Sequence, residues 1–507
     1  MSGSTDKLKK VAGSAFLVAI GTIIGNGVAL LAEIVIANEL GPMTYGRVSL
    51  AYTIISASGS ILVLGVGDGV TRLSSSYDKF DEKIKVFKSG FIIIFAASLC
   101  GALLIYQLRS VVSDVLSQPS LGRFLTHFLP YIGLYPLSVF VVSILRSTDN
   151  TTEMVLSRDI FGRILSALTL YIALALGLGR NSAILYWTSF PLIAIVSAAL
   201  LHREIFHYLD FKLPSRGVMK QLWTFSWPLA MSSIIFLLMS RLDILMIGFF
   251  LRSNDVGVYR SIQPLQRSST IVLGSFSFLF LPTATAYVEG DNYDKLGQLF
   301  VSVTKWSVII TIPIIFVFTI SSDSVVSLLF GSEYAGAAQP LAILSGGLFL
   351  RTVVGPNGDM IKAINKPRVE MLSGLIGLVS NFVLNLIFVP KFGISGAAFA
   401  TVGGYAIYNF TEISVIYATT GITPFSVSIL KPILTTIVVV PIFSLFYVSG
   451  NDLANILFTG TLATIVMISA MIFTNSVDEQ DMVVVDAVEN KTGLELELFK
   501  RLLRRGF

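Results

Sequence analysis

Charged residues are scarce in this chain. Asp, Glu, Lys and Arg make up 13% of its 507 residues, whereas 54% are apolar and the mean hydropathy is +0.78. Soluble globular domains carry about 25% charged residues, so a chain of this length cannot cover itself with polar surface. We therefore predict a polytopic membrane protein, which excludes most soluble enzymes and nucleic-acid-binding proteins. The net charge of +5 then reflects cationic cytoplasmic loops rather than a nucleic-acid partner.

Cysteine and histidine are almost absent as well. The one cysteine, Cys100, lies in an apolar run, which excludes a disulfide framework and a thiolate metal site. The three histidines (His127, His202 and His207) lack the spacing of metal ligands on a helix. No phosphate loop or nucleophile elbow occurs, and the longest loop between apolar runs covers only residues 202–222. We predict no metal, no resident cofactor and no enzymatic activity. Passive or ion-coupled transport remains, with Na+ or H+ as the candidate coupling cation.

Long apolar runs dominate what is present. A membrane-spanning helix needs about 20 mostly apolar residues, and the first run, residues 11–36, is too long for a signal peptide. We predict an all-α integral membrane protein with about 14 transmembrane helices. The predicted spans lie near residues 11–36, 45–66, 89–108, 122–144, 160–178, 181–201, 223–248, 256–281, 298–320, 338–358, 370–388, 393–417, 426–447 and 452–473.

The distribution of Lys and Arg orients these spans. With the N-terminus inside, the inner segments carry 25 of the 36 Lys and Arg residues, the outer segments carry 7, and 4 lie within spans. Cytoplasmic loops are enriched in Lys and Arg, and a wrong span count would scramble the alternation. We therefore predict a multi-pass protein of the cytoplasmic membrane with both termini in the cytoplasm.

The chain divides into two halves and a tail. We predict an N-lobe of spans 1–6 (residues 1–215), a C-lobe of spans 7–12 (216–420), spans 13 and 14 (421–474) and a cytoplasmic amphipathic tail (475–507). A faint repeat relates the lobes: aligning Gly46 with Gly257 places Glu33 opposite Asp243, with one residue of loop difference. An acidic residue thus lies near the outer end of the first helix of each lobe. Such repeats build the central cavity of many transporters.

Polar residues form a stripe along the eighth span. Arg260, Gln263 and Arg267 follow one another at helical spacing, and Thr270 and Gly274 continue the same face. Charge at membrane depth needs a partner or a watery cavity. Two arginines on one face favour a cationic cavity suited to an anionic group such as a phosphate; neutralisation of one of them by Asp243 is the structural alternative.

The other predicted site residues are spread over the chain. Arg351 in the tenth span and Arg241 in the seventh add cations, whereas Lys305 is expected to extend its ammonium group to the interface. Asn26 shares a face of the first span with Glu33, and Asn381 and Asn385 share a face of the eleventh; sugar hydroxyls and neighbouring helices are the alternative partners of these amides. The predicted substrate-binding residues are Arg260, Gln263, Arg267, Arg351, Arg241, Asn26, Asn381 and Asn385. Glu33 and Asp243 are the candidates for ion coupling or gating.

Several segments together resemble a known family. Residues 40–46 (LGPMTYG), 241–250 (RLDILMIGFF), 255–259 (DVGVY), 329–334 (LFGSEY) and 381–400 are spread over most of the chain. They are similar to the lipid-linked oligosaccharide flippases of the multidrug/oligosaccharidyl-lipid/polysaccharide exporter superfamily. This resemblance implies two six-helix lobes arranged as a V, two additional C-terminal helices and alternating access.

The resemblance also implies a substrate and partners. The expected substrate is a polyprenyl-phosphate- or diphosphate-linked oligosaccharide, moved outward for cell-surface polysaccharide or glycoprotein assembly. Membrane lipids are expected partners, glycan assembly enzymes are candidate partners, and no nucleic acid is expected. A cation-coupled multidrug antiporter and a peptidoglycan-precursor flippase of the same fold stay open. The short outer loops disfavour a membrane glycan polymerase.

Overall fold

The structure is a computed structural model that describes residues 2–203, 216–445 and 450–476, without the side chains of residues 2–17, 19, 232, 268–273 and 275–279. Within these ranges the regular secondary structure is helical and no strand occurs, so the predicted all-α class is confirmed. The predicted amphipathic tail lies outside the described residues from residue 477 onward.

The described helices are numbered here in chain order. The first part of the chain contains α1 (Ser2–Leu62), α2 (Val66–Ser75), α3 (Phe80–Val115), α4 (Leu121–His127), α5 (Leu129–Ser147), α6 (Thr151–Val155), a π-helical turn (Leu156–Phe161), α7 (Gly162–Ala175), α8 (Arg180–Leu201), α9 (Arg216–Phe250) and α10 (Ser253–Glu289). The second part contains α11 (Tyr293–Ile320), α12 (Ser322–Phe330), a 3-10 turn (Ser332–Ala337), α13 (Ala338–Val353), α14 (Asn357–Ala363), α15 (Pro367–Thr420), α16 (Val427–Leu445) and α17 (Asp452–Phe473).

Ten helical segments among the described residues are long and apolar enough to cross a membrane. Two of them, Ile20–Ser75 and Pro367–Thr420, each cover two predicted spans. Glycines at positive φ break the long helices between those spans, at Gly41 in α1 (φ 66°) and Gly393 in α15 (φ 60°), because only glycine adopts this conformation without steric cost. The predicted fifth and eighth spans coincide with α7 and α10. The arrangement is therefore consistent with about 14 spans.

The helices expose large apolar side chains. Leu103 and Leu104 on α3, Phe410 on α15 and Phe473 on α17 are each more than half exposed. A soluble monomer rarely shows contiguous apolar patches of this kind, whereas in a bilayer such side chains face lipid. Exposure and helix length together support the multi-pass membrane assignment.

The chain forms two compact units, Met1–Pro264 and Leu265–Phe507, with the boundary inside α10. The first unit is built around buried residues of α2, α3 and α5, including Val70, Phe87 and Phe140. In the second, α11 packs against α16 and α17 through residues such as Ile312 and Met467. The lobe boundaries predicted from the sequence, after residues 215 and 420, stay predictions.

Candidate functional site

Glu33 on α1 is the centre of a buried polar network in the first unit. Its carboxylate accepts hydrogen bonds from the Tyr45 hydroxyl (2.8 Å), the Trp187 indole nitrogen (3.2 Å) and the Arg260 guanidinium (2.9 Å). The side chain is only 8% exposed. A buried carboxylate is costly unless it is paired and hydrogen-bonded, and here three helices supply the partners. The network therefore joins α1, α8 and α10.

Arg260 on α10 has the matching environment. It is 1% exposed, donates to Glu33 through one terminal nitrogen and donates to the Gln263 side chain through the other (3.0 Å). The structure thus joins three of the predicted site residues, Glu33, Arg260 and Gln263. In this conformation the Arg260 guanidinium is committed to an internal acid, so its binding of a phosphate stays a prediction.

Asp243 repeats the pattern in the second half of the predicted repeat. It is buried on α9 and accepts a hydrogen bond from the Tyr259 hydroxyl (2.9 Å), just as Glu33 accepts one from Tyr45. Each acidic residue is thus bound by a tyrosine near the start of the next span. These contacts fit the sequence repeat, although the two tyrosines do not occupy aligned positions.

The aligned glycines of the repeat touch each other. A Cβ atom on Gly46 would lie 1.8 Å from the Ser253 carbonyl oxygen and 2.7 Å from the Gly257 nitrogen, and one on Gly257 would lie 1.9 Å from the Pro42 oxygen. The Ser253 hydroxyl also donates to the Gln118 side chain (2.5 Å). Glycine is used where two backbones approach this closely. The start of α10 is therefore packed directly against α1, beside the loop that carries Gln118.

Arg241 lies next to this network on α9. It is half-buried, and Arg260 and the hydroxyls of Tyr52, Tyr131 and Tyr135 are close enough to interact with it electrostatically. One terminal nitrogen has no hydrogen-bond partner among the described residues. Arg241 and Arg260 thus place two guanidinium groups in one region of the first unit. Since Arg260 is paired with Glu33, Arg241 supplies the positive charge that can attract an anion.

The remaining predicted cations lie in the second unit. Arg267 is exposed, unlike Arg260 on the same predicted stripe, and Arg351 is exposed with its guanidinium 5.8 Å from the centre of the Tyr405 ring. Thr270 belongs to the residues whose side chains are not described. Phosphate binding by Arg267 and Arg351 stays a prediction.

The predicted amides differ in environment. Asn26 is half-buried on α1. Asn381 is 3% exposed and donates to the Thr401 hydroxyl (3.3 Å), while Asn385 donates to the Asn381 side chain (3.1 Å). The Asn381 bond joins the two parts of α15 on either side of Gly393, as in one of the two alternatives weighed, whereas Asn385 bonds within its own helical segment. Neither buried amide is open to sugar hydroxyls in this conformation.

One buried charged residue was misplaced by the sequence analysis, and a second was not singled out. Lys305 is 2% exposed, so the expectation that it extends to the interface is wrong. Glu412 on α15 is completely buried, and neither carboxylate oxygen has a hydrogen-bond partner of acceptable geometry in the described part of the chain. The Tyr408 hydroxyl and the Glu370 carboxylate are its neighbours, and Lys362, which is paired with Glu370 (3.0 Å), also lies near it. Hydropathy places both residues near membrane depth but does not distinguish a lipid-facing position from a protein-facing one.

We expect Glu412→Gln to fold at least as stably as the wild type. A buried carboxylate whose oxygens lack hydrogen-bond partners costs folding free energy, and glutamine has nearly the same shape without the charge. The measurement is thermal unfolding in detergent. An unfolding temperature for Glu412→Gln below that of the wild type would contradict this account.

Comparison with known proteins places the chain in a family. Residues 11–288, more than half of the chain, match the family model described as "Polysaccharide biosynthesis protein". The probable low-salt glycan biosynthesis flippase Agl15 of Haloferax volcanii is 27% identical over 198 residues, which cover 39% of this chain and 42% of that protein. The probable flippase AglR of the same organism is 22% identical over 389 residues, covering 74% and 76%. The chain thus aligns with less than half of Agl15 and with three quarters of AglR.

Solved structures show the same fold. The lipid II flippase MurJ, in an inward closed conformation, superposes with a TM-score of 0.73 at 14% identity, over 89% of this chain and 98% of that chain. An inward-facing multidrug resistance MATE family transporter of the MOP superfamily superposes with a TM-score of 0.64, also at 14% identity, over 80% and 98%. These likenesses confirm the helical transporter fold that the resemblance implies. The family match leads to one assignment: the chain belongs to the polysaccharide biosynthesis protein family.

Proposed function

We propose that this protein is a flippase that moves a polyprenyl-phosphate- or diphosphate-linked oligosaccharide across the cytoplasmic membrane, for cell-surface polysaccharide or glycoprotein assembly. The observation that carries the proposal is the buried guanidinium of Arg260, with Arg241 beside it, in a helical transporter of the polysaccharide biosynthesis family. The names of the relatives Agl15 and AglR, both probable flippases, support the same activity. Membrane lipids and glycan assembly enzymes are the proposed partners.

The substrate explains why cations are needed at membrane depth. A lipid-linked glycan has an apolar tail that stays in the bilayer and a head with phosphate charge and many hydroxyls. Moving that head through hydrocarbon costs on the order of 10 kcal/mol or more, because each unpaired polar group costs several kcal/mol. A hydrated cavity with guanidinium groups replaces the lost hydration of the phosphate. Such a cavity lowers the barrier without any covalent chemistry.

The contacts in the first unit support alternating access. The Gly46–Gly257 contact and the Glu33–Arg260 pair lie near the predicted outer ends of their helices, so together they form the proposed outer closure. When this closure opens, Arg260 separates from Glu33 and can pair with the substrate phosphate instead. Glu33 then takes up a proton or Na+, which would couple transport to a cation gradient. Asp243, bound to Tyr259, is the proposed second gating carboxylate.

The proposed orientation follows from the Lys and Arg bias. Both termini lie in the cytoplasm, so the loop that carries Gln118 and the start of α10 face outward. Transport from the inner to the outer leaflet then begins with the outer closure intact. This is the conformation in which Glu33 and Arg260 are paired.

One experiment separates this function from the two alternatives with the same fold. A deletion strain should accumulate a lipid-linked glycan on the inner leaflet, lose its surface glycan and keep its susceptibility to cationic drugs. A multidrug antiporter would instead change drug susceptibility and leave the surface glycan intact. A peptidoglycan-precursor flippase would accumulate a precursor with a pentapeptide head, which mass spectrometry of the lipid extract identifies.

We expect Arg267→Ala to abolish surface glycan export while leaving the protein level intact. Arg267 is exposed, and an exposed guanidinium within a predicted span can pair with a phosphate of the substrate. Surface glycan staining and immunoblotting measure the two quantities. Arg252→Ala is the matched control, because Arg252 is also exposed but lies in a predicted outer loop. Normal export by Arg267→Ala would remove this residue from the site.

A further inference from the structure

Four aromatic rings form a continuous series in the first unit. The Trp187 ring on α8 stacks on the Tyr52 ring of α1, with centroids 4.4 Å apart and planes 9° apart. Tyr52 meets Tyr131 of α5 edge to face at 5.6 Å, and Tyr131 stacks on Tyr135 at 5.2 Å. Each ring thus fixes the position of the next. The series begins at the partner of Glu33 and extends to Tyr135.

The rings differ in burial along the series. Trp187 and Tyr131 are 4% and 3% exposed, whereas Tyr52 and Tyr135 are half-buried. The two accessible rings are therefore supported from behind by two inaccessible ones. Gly59 on α1 leaves room for Tyr135, since a Cβ atom there would lie 3.3 Å from its ring. We call Tyr52 and Tyr135, with Tyr131 between them, the tyrosine shelf.

Charge is placed next to the tyrosine shelf. Arg241 lies near Tyr52, Tyr131 and Tyr135, and one of its terminal nitrogens has no hydrogen-bond partner among the described residues. A guanidinium presents donors that match a phosphate. A donor without a protein partner can donate to a ligand oxygen. The shelf and the cation therefore form one site with an apolar surface and an anion-binding end.

We propose that the tyrosine shelf binds a hexose ring, the sugar residue next to the phosphate of the transported lipid, while Arg241 binds that phosphate. One face of a pyranose ring carries mostly C–H groups, which pack against an aromatic ring, and its hydroxyls reach the phenol groups at the edge. Rings that are already held in place lose little conformational freedom on binding. This assignment rests on the proposed function, because it names the part of the transported substrate that the site binds.

A binding experiment tests the tyrosine shelf separately from transport. The probes are two short-chain lipids, farnesyl phosphate and farnesyl phosphate that carries one hexose, titrated into the full-length protein in detergent. The wild type should bind the hexosyl lipid about tenfold more tightly than farnesyl phosphate, since one well-packed aromatic contact contributes about that factor. Tyr135→Leu should remove this preference, so that the variant binds the two lipids equally. Arg241→Gln should weaken binding of both lipids.

Three further variants make the outcome unambiguous. Tyr135→Phe keeps the aromatic ring and should keep most of the preference for the hexosyl lipid. Gly59→Val pushes the Tyr135 ring aside and should abolish the preference. This second variant keeps the test valid if Tyr135→Leu does not fold. Tyr171→Leu is the matched control, because Tyr171 is 71% exposed on α7 and should change nothing. Equal affinity of the wild type for the two lipids, or a Tyr135→Leu variant that keeps the preference, would overturn the proposal. A wild type that shows the preference but moves neither lipid in vesicles would refute the flippase function and leave the shelf intact.

Discussion

Glu33→Ala is expected to destabilise the folded protein by about 3–5 kcal/mol, because it leaves the buried guanidinium of Arg260 without its counter-charge. Arg260 is 1% exposed, and within the described ranges its other side-chain hydrogen-bond partner is the neutral amide of Gln263. Tyr45 and Trp187 also lose the carboxylate to which they donate. Thermal unfolding in detergent measures the loss of stability, and surface glycan staining should show no export.

The double variant Glu33→Leu with Arg260→Met is the control for this prediction. Replacing both members of a buried ion pair by apolar residues of similar size is often neutral or stabilising, so the double variant should regain most of the lost stability. It should still fail in export, because neither the proposed phosphate-binding cation nor the gating carboxylate is present. Equal unfolding temperatures for Glu33→Ala and the double variant would show that the tyrosine and tryptophan contacts, not the unpaired arginine, set the stability.

The members of this ion pair were predictable from the sequence, but their pairing was not. Helical spacing puts Arg260 and Gln263 on one face of a span, and the repeat draws attention to Glu33. Spacing gives directions around a single helix axis and says nothing about which distant helix lies opposite. Glu33 and Arg260 are 227 residues apart, and the sequence reasoning assigned Arg260 to the substrate and Glu33 to ion coupling.

The fold was more accessible than the site for a related reason. Span positions follow from apolar length, which is a local property, and the breaks at Gly41 and Gly393 follow from residues that tolerate positive φ. The burial of a side chain within a helix bundle depends on which distant helices pack against it, and local hydropathy does not report this. Lys305 was therefore expected at the interface rather than among protein contacts, and Glu412 was not singled out. The tyrosine shelf was missed likewise, since its rings come from helices that are distant in the sequence.

Gly46→Ala is expected to prevent the outer closure and to reduce transport to background. The added Cβ atom would lie 1.8 Å from the Ser253 carbonyl oxygen and 2.7 Å from the Gly257 nitrogen. Both are backbone atoms, so no side-chain rotation relieves the overlap, and α10 has to move away from α1. Overpacking of this kind costs about 1–3 kcal/mol or more, which is enough to favour outward-open states in which the two helices are separated.

Opening of the outer closure can be measured with one engineered cysteine. Ser253→Cys in a Cys100→Ser background carries a single cysteine, because Cys100 is the only native one, and Ser253 is 7% exposed. A membrane-impermeant maleimide should label this cysteine about tenfold faster after Gly46→Ala, as a 1.4 kcal/mol shift in population predicts. Gly27→Ala is the matched control, since no atom lies within 4 Å of a Cβ at that position of the same helix. If Gly46→Ala and Gly27→Ala show the same labelling rate and the same transport, the Gly46–Gly257 contact is not the outer closure. The Glu33–Arg260 pair is then a structural ion pair rather than part of a gate.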